Sequence, residues 1–255
     1  MASDPDADRV GAAVKNNEGE WVLLNGNQTA LMFVYYLITR WKELGKINGK
    51  EYIVKTIVTT ETIKTIAERN GVEIYDVYTG FKWIANVMRE NEGKKNYIGG
   101  GEESYGFLCE DFVRDKDAVS ACVILAEIAA WAKDQGLSLY QLLQKIYVEY
   151  GFSKEKGISV VKKGKSGAEE IEAMMKKFRE NPLTEIAGSK VTYFYDYSTL
   201  KGKDYAENET VTLDMPTTSN VLQYFTEDNT KVSIRPSGTE PKIKFYCEVH
   251  SKVKS

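Results

Sequence analysis

The sequence has few cysteines, a single histidine and no long hydrophobic run. Its three cysteines, Cys109, Cys122 and Cys247, fit neither a paired disulfide framework nor a CxxC ligand spacing, which indicates a reducing compartment. No apolar stretch approaches the ~20 residues that a membrane-spanning helix requires. The N-terminus is acidic and polar and shows no signal-peptide pattern. We therefore expect a cytoplasmic protein with no membrane partner.

The charge balance lacks the positive excess that is typical of nucleic-acid-binding proteins. The formal net charge is −3, and the lysine pairs at 162–163 and 176–177 are typical of solvated faces. With 42% hydrophobic residues among 255, the chain can bury a sizeable core as one large domain or as two ordinary ones. The composition thus indicates a soluble globular protein without a nucleic-acid partner.

The apolar spacing predicts an α/β unit followed by an α+β unit. Strand-like and helical segments alternate as far as residue 150, which favours a mixed or parallel sheet. A polar, basic stretch over 154–167 is predicted to be a linker, and antiparallel-type strands follow it. Helices are predicted over 28–44, 61–70, 81–91, 117–133, 139–150 and 169–179. Strands are predicted over 10–14, 52–58, 72–77, 97–98, 191–197, 210–213, 221–225, 232–234 and 243–249.

A turn-forming segment over 235–242, Arg-Pro-Ser-Gly-Thr-Glu-Pro-Lys, lies between two alternating, strand-like runs. Arg235 supplies a fixed cation, Ser237 and Thr239 supply hydroxyl donors, and Gly238 lets backbone N–H groups converge on one point. These groups favour a phosphate-binding loop. The alternative is a hairpin whose polar loop faces water.

Three aspartates occupy alternate positions near the N-terminus: Asp4, Asp6 and Asp8. Carboxylates spaced in this way can converge on a hard cation such as Mg²⁺. An EF-hand is excluded, because Arg9 stands where that loop needs glycine and Lys15 where it needs glutamate. The alternative is a solvated acidic tail.

A third motif, Tyr-Ile-Gly-Gly-Gly-Glu-Glu-Ser-Tyr-Gly-Phe, covers residues 97–107. Its glycines permit close backbone approach, while Glu102 and Ser104 can bond the vicinal hydroxyls of a sugar. It is not a nucleotide-binding GxGxxG fingerprint, since the required helix and ribose-binding acid do not follow. The alternative is a glycine-rich connection with incidental acids.

Together these motifs resemble one family, the α-D-phosphohexomutases of the phosphoglucomutase and phosphomannomutase group. The resemblance rests on DPDADR, GGEESYGF and RPSGTEPKIKFY, which occur in the family's order. Asn25-Gly-Asn-Gln-Thr29 and Thr79-Gly80 are also similar to family segments. The GEESYG and RPSGTEPKIK wording is most similar to the phosphoglucomutase and phosphopentomutase branches. The resemblance covers essentially the whole chain.

The resemblance implies a role for each motif. Phosphoryl transfer requires mainly positioning and charge neutralisation. The implied Mg²⁺ ligands are Asp4, Asp6 and Asp8, with Arg9 beside them. The implied substrate-binding residues are Thr79, Gly80, Glu102, Ser104, Arg235, Ser237, Gly238 and Thr239.

Lys116 is the candidate for a general acid/base or a charge stabiliser, because residues 114–117 resemble the family segment that carries a lysine near the reacting hydroxyl. An unperturbed lysine is a poor base at neutral pH, so that role requires burial or a cationic neighbour to lower its pKa. The alternative is a charge cluster that leads into the next helix, with Asp115 or Asp117 near the cap.

Family members have four domains and carry the transferable phosphoryl group on a serine in a Ser-His-Asn-Pro setting. This sequence has no such segment, and its only histidine, His250, is expected to be structural. The implied domains are 1–24, the end of the metal-binding second domain; 25–153, the sugar-binding third; and 154–255, the phosphate-binding fourth. The expected fold is an α/β mixed-sheet sandwich domain followed by a smaller α+β domain with an antiparallel sheet.

The resemblance therefore implies the C-terminal half of a Mg²⁺-dependent phosphoglucomutase. Such an enzyme interconverts glucose 1-phosphate and glucose 6-phosphate through a phosphoserine and glucose 1,6-bisphosphate. The implied partners are the phosphosugar and the missing N-terminal half of the same polypeptide, without which we expect no activity. We also expect weak Mg²⁺ affinity and an unpaired edge on the strand over 10–14. A phosphopentomutase, a phosphomannomutase and a non-catalytic phosphosugar-binding module remain alternatives.

Overall fold

The computed structural model describes residues 1–162, 164–238 and 240–253, so Thr239 of the predicted phosphate loop lies outside the described residues. The chain divides into two compact units, Met1–Phe152 with Lys252–Ser255, and Ser153–Ser251. Across the described ranges, no helix combines the length and the apolar character needed to cross a membrane. The assignment of residues 1–24 to a separate domain stays a prediction.

The first unit is built on a four-stranded mixed sheet in the order β6-β5-β7-β8. Strand β5 pairs in parallel with β6 and β7, and β7 pairs antiparallel with β8. The strands are β1 Ala2–Ser3, β2 Val10–Gly11, β3 Ala13–Lys15, β4 Trp21–Leu23, β5 Glu51–Thr56, β6 Glu73–Val77, β7 Asn96–Gly101 and β8 Phe107–Cys109. The helices are α1 Gly26–Glu43, α2 Thr62–Arg69, α3 Phe81–Asn91, α4 Ala118–Asp134 and α5 Leu139–Tyr150.

Helix α1 begins at a capping box. The Asn25 side chain accepts a hydrogen bond from the Gln28 backbone N–H, and the Gln28 side chain accepts one from the Asn25 backbone N–H. Its residues from Gly26 to Ile38 are almost all buried, so it forms the centre of the largest apolar cluster. Gly26 is required at its start, because a Cβ there would lie 2.0 Å from the Glu103 carbonyl oxygen. The helix is thereby seated directly on the backbone of the predicted sugar loop.

The first 24 residues form two small antiparallel pairs, β1 with β2 and β3 with β4. The single strand predicted over 10–14 is therefore wrong, because Ala12 separates two strands that pair with different partners. The expected unpaired edge is not contradicted, because each of these two sheets has two strands and each strand therefore pairs on one side. Each of its two parts finds a partner within the first 24 residues.

The second unit has one helix on a sheet of eight strands, with path order β13-β12-β11-β14-β15-β16-β9 and β10 paired to β11. Its helix is α6 Gly164–Glu180, which buries Ile171 and Met175. Its strands are β9 Phe152–Val161, β10 Glu185–Ile186, β11 Ser189–Asp196, β12 Lys201–Asp204, β13 Glu209–Thr212, β14 Leu222–Thr226, β15 Lys231–Pro236 and β16 Lys242–Ser251. The predicted succession of a mixed-sheet unit and an antiparallel-sheet unit is confirmed.

The predicted linker over 154–167 is wrong. Its first part belongs to β9, which stands at the end of the sheet beside β16, and α6 begins at Gly164. Most side chains of β9 are exposed. An edge strand tolerates such polar and charged residues, and lysines there discourage pairing with another chain. Polarity alone therefore did not distinguish this strand from a linker.

Candidate active site

The N-terminal aspartate loop closes around the Asp4 carboxylate. Asp4 Oδ1 accepts hydrogen bonds from the backbone N–H groups of Asp8 and Arg9, both at 3.1 Å. Desolvation raises the pKa of Asp4, but these hydrogen bonds outweigh it and hold the pKa below its ordinary value. Ala7, at the tip, has a φ of 56° and donates its N–H to the Asp4 carbonyl. The loop is therefore held in shape by its own first aspartate.

Lys116 connects this loop to the segment before α4. Its ammonium lies 2.8 Å from Asp8 Oδ2 and 3.3 Å from Asp115 Oδ1, and its side chain is 14% exposed. Its carbon stem packs on Gly106, where an added Cβ would lie 2.7 Å from Lys116 Cδ. Asp117 caps α4 by accepting from the N–H groups of Val119 and Ser120. The segment therefore does both things that were predicted as alternatives: Asp117 caps α4, and Lys116 contacts the aspartate loop.

The electrostatics of Lys116 favour its charged form. Desolvation lowers the pKa of Lys116, but the hydrogen bonds and charges of Asp8 and Asp115 outweigh it and raise that pKa above its ordinary value. A role as general base requires the opposite direction. In this arrangement Lys116 is a proton-bearing cation, suited to stabilising charge or donating a proton.

The sugar loop is tied to the start of α3. Glu102 is 5% exposed, and its Oε1 accepts a hydrogen bond of 2.7 Å from the Gly80 N–H. The backbone N–H of Glu102 donates to the Gly106 carbonyl at 2.9 Å. Thr79 and Ser104 are half-buried beside them in the chain. Two segments that are 22 residues apart, Thr79-Gly80 and the Glu102 loop, are thus brought into contact.

The backbone joins the aspartate loop to both neighbouring segments. The Val10 N–H donates to the Tyr105 carbonyl at 3.2 Å, and the Ala118 N–H donates to the Ala7 carbonyl at 3.1 Å. The first unit therefore gathers four of the predicted site segments into one place. They are the aspartate loop, Thr79-Gly80, the sugar loop and Lys116.

Polar groups beside the sugar loop were not predicted from the sequence. Lys55, only 1% exposed, pairs with Asp76 at 2.6 Å and Glu61 at 3.0 Å. Burial lowers the pKa of Lys55, but the two carboxylates outweigh it and raise the pKa. In the next position, Thr56 Oγ1 donates to Glu103 Oε2 at 3.3 Å and so anchors the loop. A lysine directly after the apolar run over 52–54 in a predicted strand was the available signal.

The aspartates fit a hard cation in chemistry but are not gathered into a ligand cluster. No group of three or more His, Cys, Asp or Glu side chains suited to a metal occurs within the described residues. Asp4 is occupied by backbone donors, and Asp6 is exposed. Asp8 Oδ1, however, is buried without a hydrogen-bond partner, with Arg9 Nε at 3.6 Å. An orphaned carboxylate oxygen of this kind fits an oxygen-liganded cation.

The predicted phosphate loop belongs to the second unit. Arg235 lies in β15 opposite Lys244 of β16, and the Ser237 N–H donates to the Lys242 carbonyl at 2.8 Å. Gly238 is exposed, and a Cβ there would meet nothing within 4 Å. No carboxylate within the described ranges forms an ion pair with the Arg235 guanidinium. The arginine and the turn thus form an open, positively charged end of the hairpin.

Two family models match the chain. "Phosphoglucomutase/phosphomannomutase, alpha/beta/alpha domain III" matches residues 25–150, and "Phosphoglucomutase/phosphomannomutase, C-terminal domain" matches residues 159–254. The Staphylococcus aureus phosphoglucomutase is 38% identical over 249 residues, which cover 98% of this chain and 44% of that protein. The Staphylococcus haemolyticus phosphoglucomutase is 34% identical over 250 residues with the same coverage. The chain therefore spans less than half the length of these relatives.

Solved structures agree on the fold. Paramecium parafusin, a phosphoglucomutase, matches with a TM-score of 0.63 at 17% identity over 98% of this chain and 40% of its own. An Aspergillus fumigatus N-acetylphosphoglucosamine mutase, solved in complex with GlcNAc-6P and magnesium, matches with a TM-score of 0.53 at 13% identity over 98% of this chain and 48% of its own. At these identities the likeness concerns the fold alone.

Proposed function

Because this chain belongs to the phosphoglucomutase/phosphomannomutase family, we propose that it forms the C-terminal portion of a Mg²⁺-dependent phosphoglucomutase. The reaction is the interconversion of glucose 1-phosphate and glucose 6-phosphate, with glucose 1,6-bisphosphate as the intermediate and activator. The observation that carries this proposal is the convergence of Asp8, Lys116, Gly80 and Glu102 in the first unit. These residues come from segments that are far apart in the sequence.

Asp4, Asp6 and Asp8 would hold the Mg²⁺ ion, and the orphaned Oδ1 of Asp8 supports this assignment. When bound, the ion neutralises negative charge on the transferring phosphoryl group. Arg9 adds a second positive charge next to Asp8. The loop itself has a defined shape, since Asp4 bonds the backbone at Asp8 and Arg9.

Lys116 keeps its proton on Nζ and faces the aspartate loop. We assign it the role of charge stabiliser, and of proton donor to the sugar oxygen in the step in which that oxygen leaves the phosphoryl group. Its raised pKa supports this role and disfavours that of a general base. Its contacts with Asp8 and Gly106 fix the position of the ammonium.

The sugar and its second phosphate are assigned to two further groups of residues. Glu102 and Ser104 bind sugar hydroxyls, and the Gly80 N–H orients the Glu102 carboxylate for this purpose. In the second unit, Arg235, Ser237, Gly238 and Thr239 bind the phosphate that does not react. Thr239 is included in this group on the basis of the sequence motif alone. The charge of Arg235 and the open turn at Gly238 support the assignment.

The phosphorylated serine belongs to the N-terminal half of the same polypeptide, so this chain alone is proposed to be inactive. The proposed compartment is the cytoplasm, and the three cysteines, which form no disulfide, agree with a reducing environment. The phosphosugar is the proposed small-molecule partner. A phosphopentomutase, a phosphomannomutase and a non-catalytic phosphosugar-binding module are the outcomes against which the proposal is tested.

The test combines ligand binding with complementation. The chain is titrated calorimetrically with glucose 1-phosphate, ribose 1-phosphate, mannose 1-phosphate and free glucose, and the series is repeated with Arg235→Ala. The matched control is Lys190→Ala, an exposed cation of the same unit. We expect glucose 1-phosphate to bind best, free glucose not to bind, and Arg235→Ala alone to lose binding. A preference for the pentose or mannose ester would overturn the sugar assignment.

Catalysis is then measured as glucose 6-phosphate formation after the N-terminal half of the Staphylococcus aureus phosphoglucomutase is added. We expect turnover only in the mixture, and none with either part alone. Phosphosugar binding without turnover, in a mixture shown by gel filtration to associate, would favour the non-catalytic module. Turnover by this chain alone would overturn its dependence on the other half.

A further inference from the structure

A cavity of about 550 Å³ in the first unit has no part in the function proposed above. Four lysines line it, Lys46, Lys50, Lys94 and Lys95, in a chain whose formal net charge is −3. Two carboxylates, Glu110 and Asp111, also line it, so the lining keeps an excess of positive charge that attracts anions. The lining therefore points to an anionic ligand.

The cavity lies at the opposite end of the sheet from the candidate active site. Glu51 and Asn96 pair at the beginnings of the parallel strands β5 and β7, and Asn96 lines the cavity. Glu102, by contrast, follows the end of β7. A strand of six residues spans about 20 Å, so the two places are separated by that length of sheet. A ligand in the cavity would not occupy the sugar site.

The walls of the cavity are held together by Glu51. This carboxylate is 1% exposed, and its Oε2 accepts from the N–H groups of Asn48, Gly49 and Lys50 at 2.8, 2.9 and 3.1 Å. Its Oε1 accepts from the Asn96 side chain at 3.1 Å. The lysine-bearing loop and the start of β7 are therefore fixed relative to each other before any ligand binds. Since Glu51 uses the loop's backbone donors, an anion would meet the lysine side chains instead.

Three of the lysines have further contacts, and Lys94 Nζ donates to the Glu90 carbonyl at 2.9 Å without losing its charge. The Lys46 ammonium lies 5.3 Å from the centre of the Trp41 ring, which also lines the cavity. Lys95 donates to the Tyr75 hydroxyl at 2.7 Å and pairs with Glu73. Lys95 is thus already neutralised. Lys46, Lys50 and Lys94 remain the cations available to a ligand, and all three are exposed.

The other side of the cavity is acidic, since Glu110 and Asp111 line it. These carboxylates would repel a bare anion but would accept hydrogen bonds from hydroxyl groups. We infer that this cavity binds a small organic phosphate, with its phosphoryl group at Lys46 and Lys50 and its hydroxyl groups toward Glu110 and Asp111. The inference does not depend on the proposed mutase activity. It concerns a second phosphate-binding site, which belongs to the first unit, whereas Arg235 belongs to the second.

The test uses glycerol 3-phosphate, inorganic phosphate and glycerol as probes. The Arg235→Ala chain serves as the background, so that the phosphate loop of the second unit does not contribute. Binding is followed by calorimetry and by the backbone NMR shifts of residues 46–50 and 94–96. We expect saturable binding of glycerol 3-phosphate, weaker binding of inorganic phosphate, and none of glycerol. Adding Lys46→Gln and Lys50→Gln should weaken glycerol 3-phosphate binding at least about tenfold.

The matched control adds Lys133→Gln and Lys145→Gln, two exposed lysines on helices of the same unit. It removes the same formal charge and should leave binding unchanged. Circular dichroism and thermal melting establish that both double variants fold. The inference is overturned by absent saturable binding in the Arg235→Ala background, by equal losses in the two double variants, or by tighter binding of inorganic phosphate than of glycerol 3-phosphate.

Discussion

Lys116 Nζ lies 2.8 Å from Asp8 Oδ2. The lysine proposed to act on the sugar oxygen therefore forms an ion pair with a residue that is proposed to bind the metal. The two residues come from distant segments of the sequence, the aspartate loop and the segment before α4. Gly106 lies beside the lysine stem, and a Cβ at that position would lie 2.7 Å from Lys116 Cδ and displace the stem. The proposed metal site and the position of Lys116 are therefore linked.

We predict that Lys116→Gln tightens Mg²⁺ binding by this chain. The ammonium competes with the metal for Asp8, and the neutral amide would remove that competition. Calorimetric titration should show severalfold higher affinity in the variant, while Lys133→Gln should leave affinity unchanged. Equal or weaker Mg²⁺ binding by Lys116→Gln would show that Asp8 is not a metal ligand in competition with the lysine.

We predict that Gly26→Ala destabilises the first unit by about 2 kcal/mol or more, since forced overpacking typically costs 1–3 kcal/mol. The new Cβ would meet the backbone of the sugar loop, 2.0 Å from the Glu103 oxygen and 2.7 Å from the Tyr105 nitrogen. Backbone cannot yield in the way that a flexible side chain can.

The measurement for Gly26→Ala is urea denaturation followed by circular dichroism. Gly11→Ala is the control, because a Cβ at Gly11 meets nothing within 4 Å. A Gly26→Ala chain as stable as the Gly11→Ala chain would contradict the close packing of α1 on the sugar loop.

Local patterns in the sequence were sufficient for elements whose burial and termini agree with their periodicity. Helices were predicted over 81–91 and 139–150, and α3 and α5 occupy those residues. In α5, Ser138 and Gln141 form a capping box, and Gly151 ends the helix. Strands β9 and β12 escaped prediction because their polar and charged residues show no apolar alternation. Strand β9 lies at the edge of the sheet and β12 lies between β11 and β13, and these positions depend on tertiary neighbours.

The residues of the candidate site were predicted from the sequence, but the contacts between them were not. The sequence contained Lys116 and Asp8, yet only the fold brings them together, and that contact raises the lysine pKa when a general base requires a lowered one. Glu103 had no assigned role, although its bond to Thr56 anchors the sugar loop. Such contacts cross the sheet, and no local spacing encodes them.

Acid should destabilise the first unit partly through Glu51. Burial raises the pKa of Glu51, but the N–H donors of Asn48 and its neighbours, together with the Asn96 side chain, hold it below its ordinary value of 4.5. A carboxylate with a depressed folded-state pKa stabilises the fold above its unfolded value, and this contribution disappears as pH falls through the folded-state pKa. Stability should therefore decline as pH falls below about 4.5.

The variant Glu51→Gln should lower the free energy of unfolding by about 2 kcal/mol at pH 7, because the buried Glu51 side chain loses charge-assisted hydrogen bonds to four donors. It should also flatten the acid decline in urea midpoints measured from pH 7 to pH 3. Glu18→Gln is the matched control, an exposed carboxylate of the same unit. An unchanged acid decline in Glu51→Gln would contradict the contribution of this residue.

The Gly80 N–H donates a hydrogen bond to Glu102, and two substitutions of Glu102 distinguish this bond from the negative charge of the carboxylate. Glu102→Ala leaves the Gly80 N–H without its acceptor, so we predict destabilisation by about 1–3 kcal/mol together with lost sugar discrimination. Glu102→Gln keeps a side-chain oxygen for that donor, and should retain most of the stability while weakening glucose 1-phosphate binding. Urea denaturation and calorimetry measure the two effects separately. If both variants bound glucose 1-phosphate as the unaltered chain does, Glu102 would hold the loop without touching the sugar.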